Sequence, residues 1–302
     1  MVQHVPGRGH APRWAAEAGH EAVAECAPGE ALDVGTLDCR AETIRGPEDL
    51  AKVHDASHIN PVTGPIVVSG ATAGQTLEVS VSAIVPDGEP LMLVREGVTT
   101  FDFVDRPALA FPERGEGTVT VSGVATPLAP MVGFLATAPA EGSLSGAAAG
   151  ATGGNLDTPL LGPGASVLLP VEVDGAHLFV GDVHLCQGDG ELFLTGAECS
   201  AVVRLSCRPW PGLSLGFPVV RTGEVLAVIG EGRTLDEAAD LAAHRAVDLL
   251  GAHAGLSAYD AGFLLSAMGD LRVCRFLPDY GSVCRVELPL DIWEDGYWEA
   301  PC

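Results

Sequence analysis

The sequence predicts a mainly β fold: a β-sandwich-like or barrel-like body with a smaller α+β part near the C-terminus. Glycine and proline together make up about a fifth of the 302 residues, and short β-branched runs recur between them. This pattern is typical of a chain with many short strands. The one strong helical pattern comes late. We therefore expect a body over residues 1–210 and an α+β part over 211–302, either as two domains or as one intertwined domain.

Strands of the body are expected where β-branched and aliphatic residues cluster between turn-forming residues. Six such runs are TLEVSVSAIV (76–85), GTVTVSGV (117–124), SVLLPVEV (166–173), LFVGDVHLC (178–186), AVVRLSC (201–207) and EVLAVIG (224–230). No fixed repeat period connects them, so neither a propeller nor a solenoid is expected. The small, glycine-rich segment 133–164 is either a flexible linker or a long functional loop.

Two helices and a closing pair of strands are expected in the C-terminal part. Thr234 and Glu237 have the spacing of a capping box, and apolar residues then follow on one helical face. Gly251 is expected to end this helix, and a second, shorter helix is expected to begin at Ser257. The closing strands are LRVCRFL (271–277) and SVCRVELPL (282–290).

The charge balance excludes several partners and chemistries. The chain has 16 basic and 40 acidic residues, which gives a formal net charge of −24. Such a surface repels phosphate backbones and anionic lipid, so neither a nucleic-acid nor a membrane partner is expected.

The only lysine, Lys52, lies in a polar stretch without a glycine-rich lead. A phosphate-binding loop is therefore excluded, and lysine-dependent Schiff-base or amidase chemistry is disfavoured.

The cysteines and the N-terminus indicate a cytoplasmic protein. The eight cysteines are spread along the chain without a C-x-x-C pair, which is typical of buried thiols in a reducing compartment rather than of a disulfide framework. No run of 18 apolar residues exists, and the N-terminus has no long apolar run. Neither a transmembrane helix nor a secretory signal is therefore expected.

The most informative segment is VGDVHLCQGDGE, residues 180–191. If it forms a strand, Asp182 and His184 project from the same face, while Val183 and Leu185 project toward a core. An aspartate and a histidine are hard to bury together unless they bind a metal or each other. Zinc accepts both imidazole nitrogen and carboxylate oxygen, so the pair can supply two ligands. A plain His–Asp hydrogen bond on a partly solvated strand is the alternative.

A second carboxylate is expected to approach this pair from the returning chain. Gly188-Asp189-Gly190 is typical of a tight turn, so we expect a hairpin. With a two-residue loop Glu191 shares the side of the Asp–His pair, whereas with a three-residue loop Glu198 does. Either carboxylate is a candidate third ligand or a general base. Asp189 itself is explained by turn chemistry alone.

Three other positions are weaker candidates. Asp38 ends a short strand, LDVGTLDC, and is either a further ligand or simply the residue that starts a turn. Asn60 lies in NPVTGPI (60–66), and Asn155 lies in GGNLD (153–157). Each amide is able to hydrogen-bond a small polar substrate or to satisfy its own loop.

These segments, in this order, resemble the acetamidase/formamidase family. GDxHxxQGDGE, GGNxD and NPxTGPI are specific when they occur in one chain, and the resemblance spans about residues 28–290. The matching segments are TLDC (36–39), NPVTGPIVVSGATAGQTLEV (60–79), PMVGFLATAPAEG (130–142), GGNLDT (153–158), LLPVEVDGAHLFVGDVHLCQGDGE (168–191), the pair 197–198, and the late helical run that leads to LRVCRFLPDYGSVCRVELP.

The resemblance implies a β-rich homodimeric or homotetrameric enzyme that hydrolyses short aliphatic amides to an acid and ammonia. It also implies a divalent metal, zinc first and calcium as a second possibility. Carried onto this sequence, it makes Asp182 and His184 ligands, with Asp38 as the candidate third. Glu191 becomes the candidate general base. The residues expected to line the pocket are Gln187, Asn155 and Asn60.

The sequence departs from the family pattern at two places. The family usually has Glu-Pro-Gly-Asp where this chain has Thr72-Ala-Gly-Gln75, a change more relevant to a turn than to catalysis. Leu185 follows the GDVH motif where a small residue is common, so a narrower or drier pocket is expected.

The expected function is metal-assisted hydrolysis of a short linear amide by activated water. The alternatives are the same machinery acting on a cyclic amide such as a γ-lactam, and a catalytically silent metal-binding protein. A third alternative is a cysteine hydrolase that uses Cys186.

Overall fold

The computed structural model describes residues 2–9, 11–55, 58–293 and 298. The described strands are, in chain order, β1 Gln3–Val5, β2 Ala15–Ala16, β3 Ala24–Cys26, β4 Ala31–Thr36, β5 Val62–Val68, β6 Thr76–Pro86, β7 Met92–Val94, β8 Ala108–Ala110, β9 Glu113–Arg114, β10 Thr118–Val121, β11 Val124–Pro127, β12 Met131–Thr137, β13 Leu144–Ser145, β14 Ala149–Gly150, β15 Gly153–Asn155, β16 Ser166–Pro170, β17 Leu178–His184, β18 Ala201–Trp210, β19 Val219–Arg221, β20 Val225–Gly232, β21 Asp270–Leu277 and β22 Gly281–Pro289. The helices are α1 Leu235–Ala254 and α2 Ala258–Met268, with 3₁₀ helices at Pro47–His54 and Leu290–Ile292.

Two sheets form the body. The larger has nine strands in the order β1-β4-β18-β6-β16-β19-β20-β22-β21, and the smaller has six in the order β14-β15-β12-β17-β5-β3. Aliphatic side chains of both sheets meet in one buried cluster, for example Val34 and Val79 from the larger sheet with Val132 and Val180 from the smaller. The two sheets therefore pack face to face around a common core, as in a sandwich. The predicted mainly β, sandwich-like class is confirmed.

The smaller sheet is covered on both sides at its centre. Every residue of β12 and β17 is buried, whereas β18 alternates buried and more exposed residues along most of its length. A strand buried on both faces is usually a continuous apolar run, so the polar side chains of β17 are unexpected and need partners. The run 117–124 is not one strand, because Ser122 (φ 49°) and Gly123 (φ 80°) form a two-residue turn that joins β10 to β11 as a hairpin.

The C-terminal part continues the larger sheet. β19, β20, β22 and β21 follow β16 in one hydrogen-bonded series, and α1 packs on β20 and β22. A Cβ on Gly230 would lie 2.3 Å from the backbone nitrogen of Ala242, so the missing side chain allows the helix to approach the sheet closely. Neither described helix combines the length and the apolar character that a bilayer crossing requires.

The helix starts agree with the sequence, but the first helix ends later than expected. Thr234 accepts a hydrogen bond from the Glu237 backbone N–H, and Ser257 caps α2 in the same way. The prediction that Gly251 ends α1 is wrong, because the helix continues to Ala254. The terminating residue is Gly255, whose left-handed conformation (φ 66°) is the one that ends helices most readily.

Candidate active site

Asp182 and His184 lie side by side within β17. Both are fully buried, and His184 Nε2 is 3.4 Å from Asp182 Oδ2. Asp182 has a positive φ of 55°, an unusual backbone conformation for a strand residue. His184 pairs across with Glu198 in an isolated antiparallel bridge, and Glu198 Oε1 lies 3.1 Å from the same Nε2. Three ligating side chains therefore meet within one small volume: Asp182, His184 and Glu198.

The expected tight hairpin after β17 does not form. The chain returns only at residues 197–199, where the Leu185 N–H donates to the Ala197 carbonyl (2.7 Å). Between them, the loop leaves the strand and Gly190 pairs with Arg275 of β21. The predicted tight turn is nevertheless present, because the Glu191 N–H donates to the Gly188 carbonyl at 3.2 Å. Within this turn the Asp189 carboxylate also accepts two hydrogen bonds from Arg285, at 2.6 and 2.9 Å.

Two further carboxylates complete the cluster. Asp157 follows β15, and together with His184 and Glu191 it forms a second group whose ligand atoms lie within 4.8 Å of one another. Both Glu191 and Glu198 therefore reach the Asp–His pair, although the sequence predicted one or the other. Asp157 Oδ2 accepts hydrogen bonds from Arg275 and from the Asn155 side-chain amide, each at 2.8 Å. We call these five residues the carboxylate cluster: Asp157, Asp182, His184, Glu191 and Glu198.

Gln187 fixes the protonation of His184. Its Nε2 donates to the carbonyl oxygens of Asp157 (2.5 Å) and Cys274 (3.2 Å). The Oε1 atom is thereby left to face His184 Nδ1 at 2.8 Å, and Oε1 can only accept. Nδ1 must therefore carry a proton, and Nε2 is the ring nitrogen that faces the Asp182 and Glu198 carboxylates. This is the orientation in which protein imidazoles bind metals.

The cluster contains more acceptors than the described residues satisfy. Four buried atoms have no hydrogen-bond partner among these residues: Asp157 Oδ1, Asp182 Oδ1, His184 Nε2 and Glu198 Oε2. Buried polar atoms without partners are rare and costly. A divalent cation satisfies a ring nitrogen and several carboxylate oxygens at once, so the donor set fits a metal ion.

A glycine opens the space that the cluster occupies. Gly133 lies on β12, between β15 and β17. A Cβ at this position would lie 2.6 Å from Asp182 Oδ2 and 2.8 Å from Asp157 Oδ1. On the other side, a Cβ at Gly196 would lie 2.6 Å from His184 Nδ1. The two aspartates therefore approach each other across a strand position that tolerates no side chain.

Burial and mutual repulsion shift the pKa values of the cluster. Burial raises the pKa of Glu191 and of Glu198 well above the usual range, and it raises the pKa of Asp157 to about 6 despite the nearby Arg275 guanidinium. Burial alone would lower the pKa of His184, but the Glu198 and Asp182 carboxylates outweigh it and hold that pKa well above 6.5. Clusters of this kind are typical of functional sites.

Two members of the cluster, Glu191 and Glu198, line a cavity of about 50 Å³. Glu191, Glu198 and Asn155 line it together with Asn60. Asn155 Oδ1 is buried and without a hydrogen-bond partner in the described part of the chain. Gln187 is not a lining residue; it lies behind His184 and orients it.

Asp38 does not join the cluster in the structure. Its Oδ1 accepts hydrogen bonds from the backbone N–H groups of Arg40 (2.9 Å) and Glu42 (2.8 Å), so it organises a turn. It belongs to neither group of potential ligands found among the described residues. The carboxylates grouped with His184 are instead Asp157, Asp182, Glu191 and Glu198.

Sequence analysis missed Asp157 and Arg275. Asp157 lies in the quoted GGNLDT segment, two residues after Asn155, and its position beside a glycine-rich turn was the available signal. Arg275 had no local signal, because a register shift between Val273 and Arg275 of β21 decides where its side chain lies. The segment 133–164 is not a linker; it supplies β12, β15 and Asp157.

Comparison with known proteins places the chain in a family. A model of the acetamidase/formamidase family matches residues 140–295, about half of the chain. The chain also matches a putative formamidase of Schizosaccharomyces pombe at 40% identity over 74 residues, 24% of this chain and only 18% of that protein.

Two solved structures agree over nearly the whole length. A predicted acetamidase/formamidase from Thermoanaerobacter tengcongensis has a TM-score of 0.91 and 32% identity, with 97% of each chain covered. An acetamidase from Bacillus halodurans has a TM-score of 0.88 and 31% identity, with 93% of this chain and 96% of that chain covered. On the family match and these two structures, the chain belongs to the acetamidase/formamidase family.

Proposed function

We propose that this protein is a metal-dependent hydrolase that converts short linear amides, such as acetamide, into a carboxylate and ammonia. The observation that carries the proposal is the carboxylate cluster, which has buried, unpaired ligand atoms and two members, Glu191 and Glu198, that line a small cavity. Family membership supports the same reaction class. A metal-binding protein without catalysis would not need a cavity at this position.

The residues that would hold the ion are Asp182, His184 through Nε2, and Glu198, with Asp157 beside them. A mixed set of one imidazole and several carboxylates favours zinc, whereas calcium takes oxygen ligands only. When bound, such an ion polarises the amide carbonyl and makes water a better nucleophile near neutral pH.

Glu191 is the proposed general base. It lines the cavity, and its Oε1 is anchored by the Gly196 N–H at 3.0 Å. In its ionised form, a carboxylate at this position is able to take a proton from the attacking water and to return that proton to the departing nitrogen. The proton transfer is the contribution of the protein itself, and it needs no lysine or cysteine.

We infer that two other side chains orient the amide. Asn155 donates its N–H to Asp157, so its unpaired Oδ1 is available to accept a hydrogen bond from the substrate nitrogen. Arg275 also lines the cavity, and its buried Nε–H has no partner among the described residues. A donor of this kind stabilises negative charge that develops on the carbonyl oxygen.

The size of the cavity supports a small substrate. A cavity needs roughly 10–15 Å³ to hold one water-sized group. The measured volume of about 50 Å³ therefore accommodates about three to five such groups. Acetamide has four heavy atoms, so its size is compatible with the cavity.

The test is ammonia release from acetamide, formamide and a γ-lactam by the purified protein, together with elemental analysis of its metal. We expect turnover of the linear amides, loss of turnover after chelation, and recovery with zinc. His184→Ala should lose metal and activity, whereas the matched control His244→Ala, on the exposed face of α1, should keep both. Turnover that persists after complete metal removal would overturn the proposal.

We also propose that the protein is a homodimer or homotetramer in a reducing cytoplasm. An exposed aromatic group, Phe101, Phe103 and Phe193, supports association. The free state of the described cysteines supports a reducing compartment. Light scattering would test the first statement, and a monomer at micromolar concentration would contradict it.

A further inference from the structure

The loop that carries Glu191 has two non-glycine residues in the left-handed backbone region. Glu191 has φ 43° and Leu194 has φ 87°. A leucine at such an angle is uncommon, because its Cβ crowds the backbone. Strained residues persist only where the surroundings hold them, and they concentrate at functional sites. The strained backbone at Leu194 therefore indicates that this residue has a role in the site.

The neighbours of Leu194 fix this conformation. The Leu194 N–H donates to the Glu191 carbonyl at 3.3 Å. The next residue, Thr195, binds the backbone of Leu93 twice: its Oγ1 accepts from the Leu93 N–H at 3.0 Å and donates to the Leu93 carbonyl at 3.3 Å. The Gly196 N–H then donates to the Glu191 carboxylate. The loop is thus closed at both ends around Leu194.

The cavity lining combines polar and aliphatic residues. Its polar residues include Glu191, Glu198 and Asn155. Its aliphatic wall is formed by Val53, Ile59, Leu93, Leu194 and Leu277. Leu194 also packs against the buried apolar group that contains Val53 and Leu93. An amide whose polar group lies at the carboxylate cluster would extend its acyl chain toward this wall.

We propose that Leu194 is a specificity-determining residue, whose side chain limits the length of the acyl group that the cavity admits. This inference rests on the proposed amide hydrolysis and adds a residue that selects the substrate. The loop that carries the proposed base, Glu191, also carries Leu194 in the aliphatic wall, so the positions of these two residues are coupled. One methylene in an apolar pocket changes kcat/KM about 10- to 200-fold, so a single side chain is sufficient for selection.

The test compares Leu194→Ala and Leu194→Gly with the parent on formamide, acetamide, propionamide and butyramide. We expect the ratio of kcat/KM for butyramide to that for acetamide to rise at least about tenfold in both variants. Glycine adopts the required φ without strain, so Leu194→Gly is expected to fold. The matched control is Leu192→Gly, in the same loop, whose side chain is 49% exposed and does not line the cavity.

An unchanged ratio in both variants, or an equal change in Leu192→Gly, would overturn the inference. Leu194→Phe provides an independent test in the opposite direction, because it should lower kcat/KM for acetamide relative to formamide; an unchanged ratio there would also count against it. A parent that releases no ammonia from any of the four amides would refute the proposed function instead. A parent active on acetamide with an unmoved preference refutes only the role of Leu194.

Discussion

Glu198→Gln should stabilise the metal-free protein while weakening its affinity for metal. Burial raises the pKa of Glu198 well above its ordinary value of 4.5. Above pH 4.5 the folded carboxyl therefore keeps a proton that the unfolded chain releases, and folding costs progressively more as pH rises toward the folded-state pKa. Glutamine has nearly the same shape and carries no ionisable proton. The variant lacks this pH-dependent cost.

The magnitude follows from linkage. One proton contributes at most about 1.4 kcal/mol per pH unit to the free energy of unfolding. The variant thus gains up to this amount over the parent for each pH unit between 4.5 and the folded-state pKa. At about 2.1 cal/mol/K per residue, unfolding of the 302-residue chain has an entropy near 0.6 kcal/mol/K, so the melting temperature should rise by up to about 2 °C per pH unit.

The assay is thermal unfolding of chelated and zinc-loaded protein from pH 5 to pH 8. In chelator, the variant should melt above the parent, with a difference that grows with pH. With zinc the order should reverse, because the parent retains a ligand and metal binding stabilises only the folded state. The control is Glu42→Gln, since the Arg8 guanidinium lowers the pKa of Glu42 to about 2. Glu42 contributes stability above pH 4.5 that is lost as pH falls toward 2, so this variant should lose stability at pH 7.

A chelated Glu198→Gln protein with the parental pH slope would refute the reasoning. It would mean that other groups of the protein stabilise the buried, ionised Glu198 carboxylate without a metal. A variant that binds zinc as tightly as the parent would separately remove Glu198 from the proposed ligands.

Three further predictions concern the surroundings of the cluster. Gly133→Ala adds a carbon 2.6 Å from a ligand oxygen, so bound metal measured by elemental analysis should fall sharply; Gly188→Ala, whose carbon meets nothing within 4 Å, should retain the parent's metal. Gln187→Met removes the acceptor for His184 Nδ1, and calorimetric titration should show an affinity for zinc about 10- to 100-fold weaker; an unchanged affinity would contradict the orienting role. Cys186→Ser should leave acetamide turnover unchanged, because burial raises the pKa of the Cys186 thiol and keeps it protonated; complete loss would indicate a cysteine nucleophile.

The sequence predicted those parts of the fold that depend on local pattern. The clustering of β-branched and aliphatic residues between turn-forming residues identified β6 and β18, and the capping residues Thr234 and Ser257 located both helix starts. The end of α1 was predicted less well, because Gly251 and Gly255 are both glycines near the end of the helical pattern and either is able to end a helix. Only the backbone conformation at Gly255 distinguishes them.

The site was predicted as far as its residues are neighbours in the chain. Asp182 and His184 share a strand face, so their proximity follows from the period of two. Asp157 could not be placed this way, because it approaches Asp182 across β12 and over Gly133. The turn at Asp189 was predicted from local sequence, but its pairing with Arg285 was not, since that partner lies 96 residues away.

The sequence by itself determined the sheet-rich class, the family resemblance and the Asp–His pair, because each is a property of residues close in the chain. The tertiary structure alone decided which carboxylates surround His184 and where Leu194 and Arg275 lie. The physical reason is that a site at the junction of β15, β12, β17 and β21 depends on strand order and register, and long-range packing, rather than local preference, sets both.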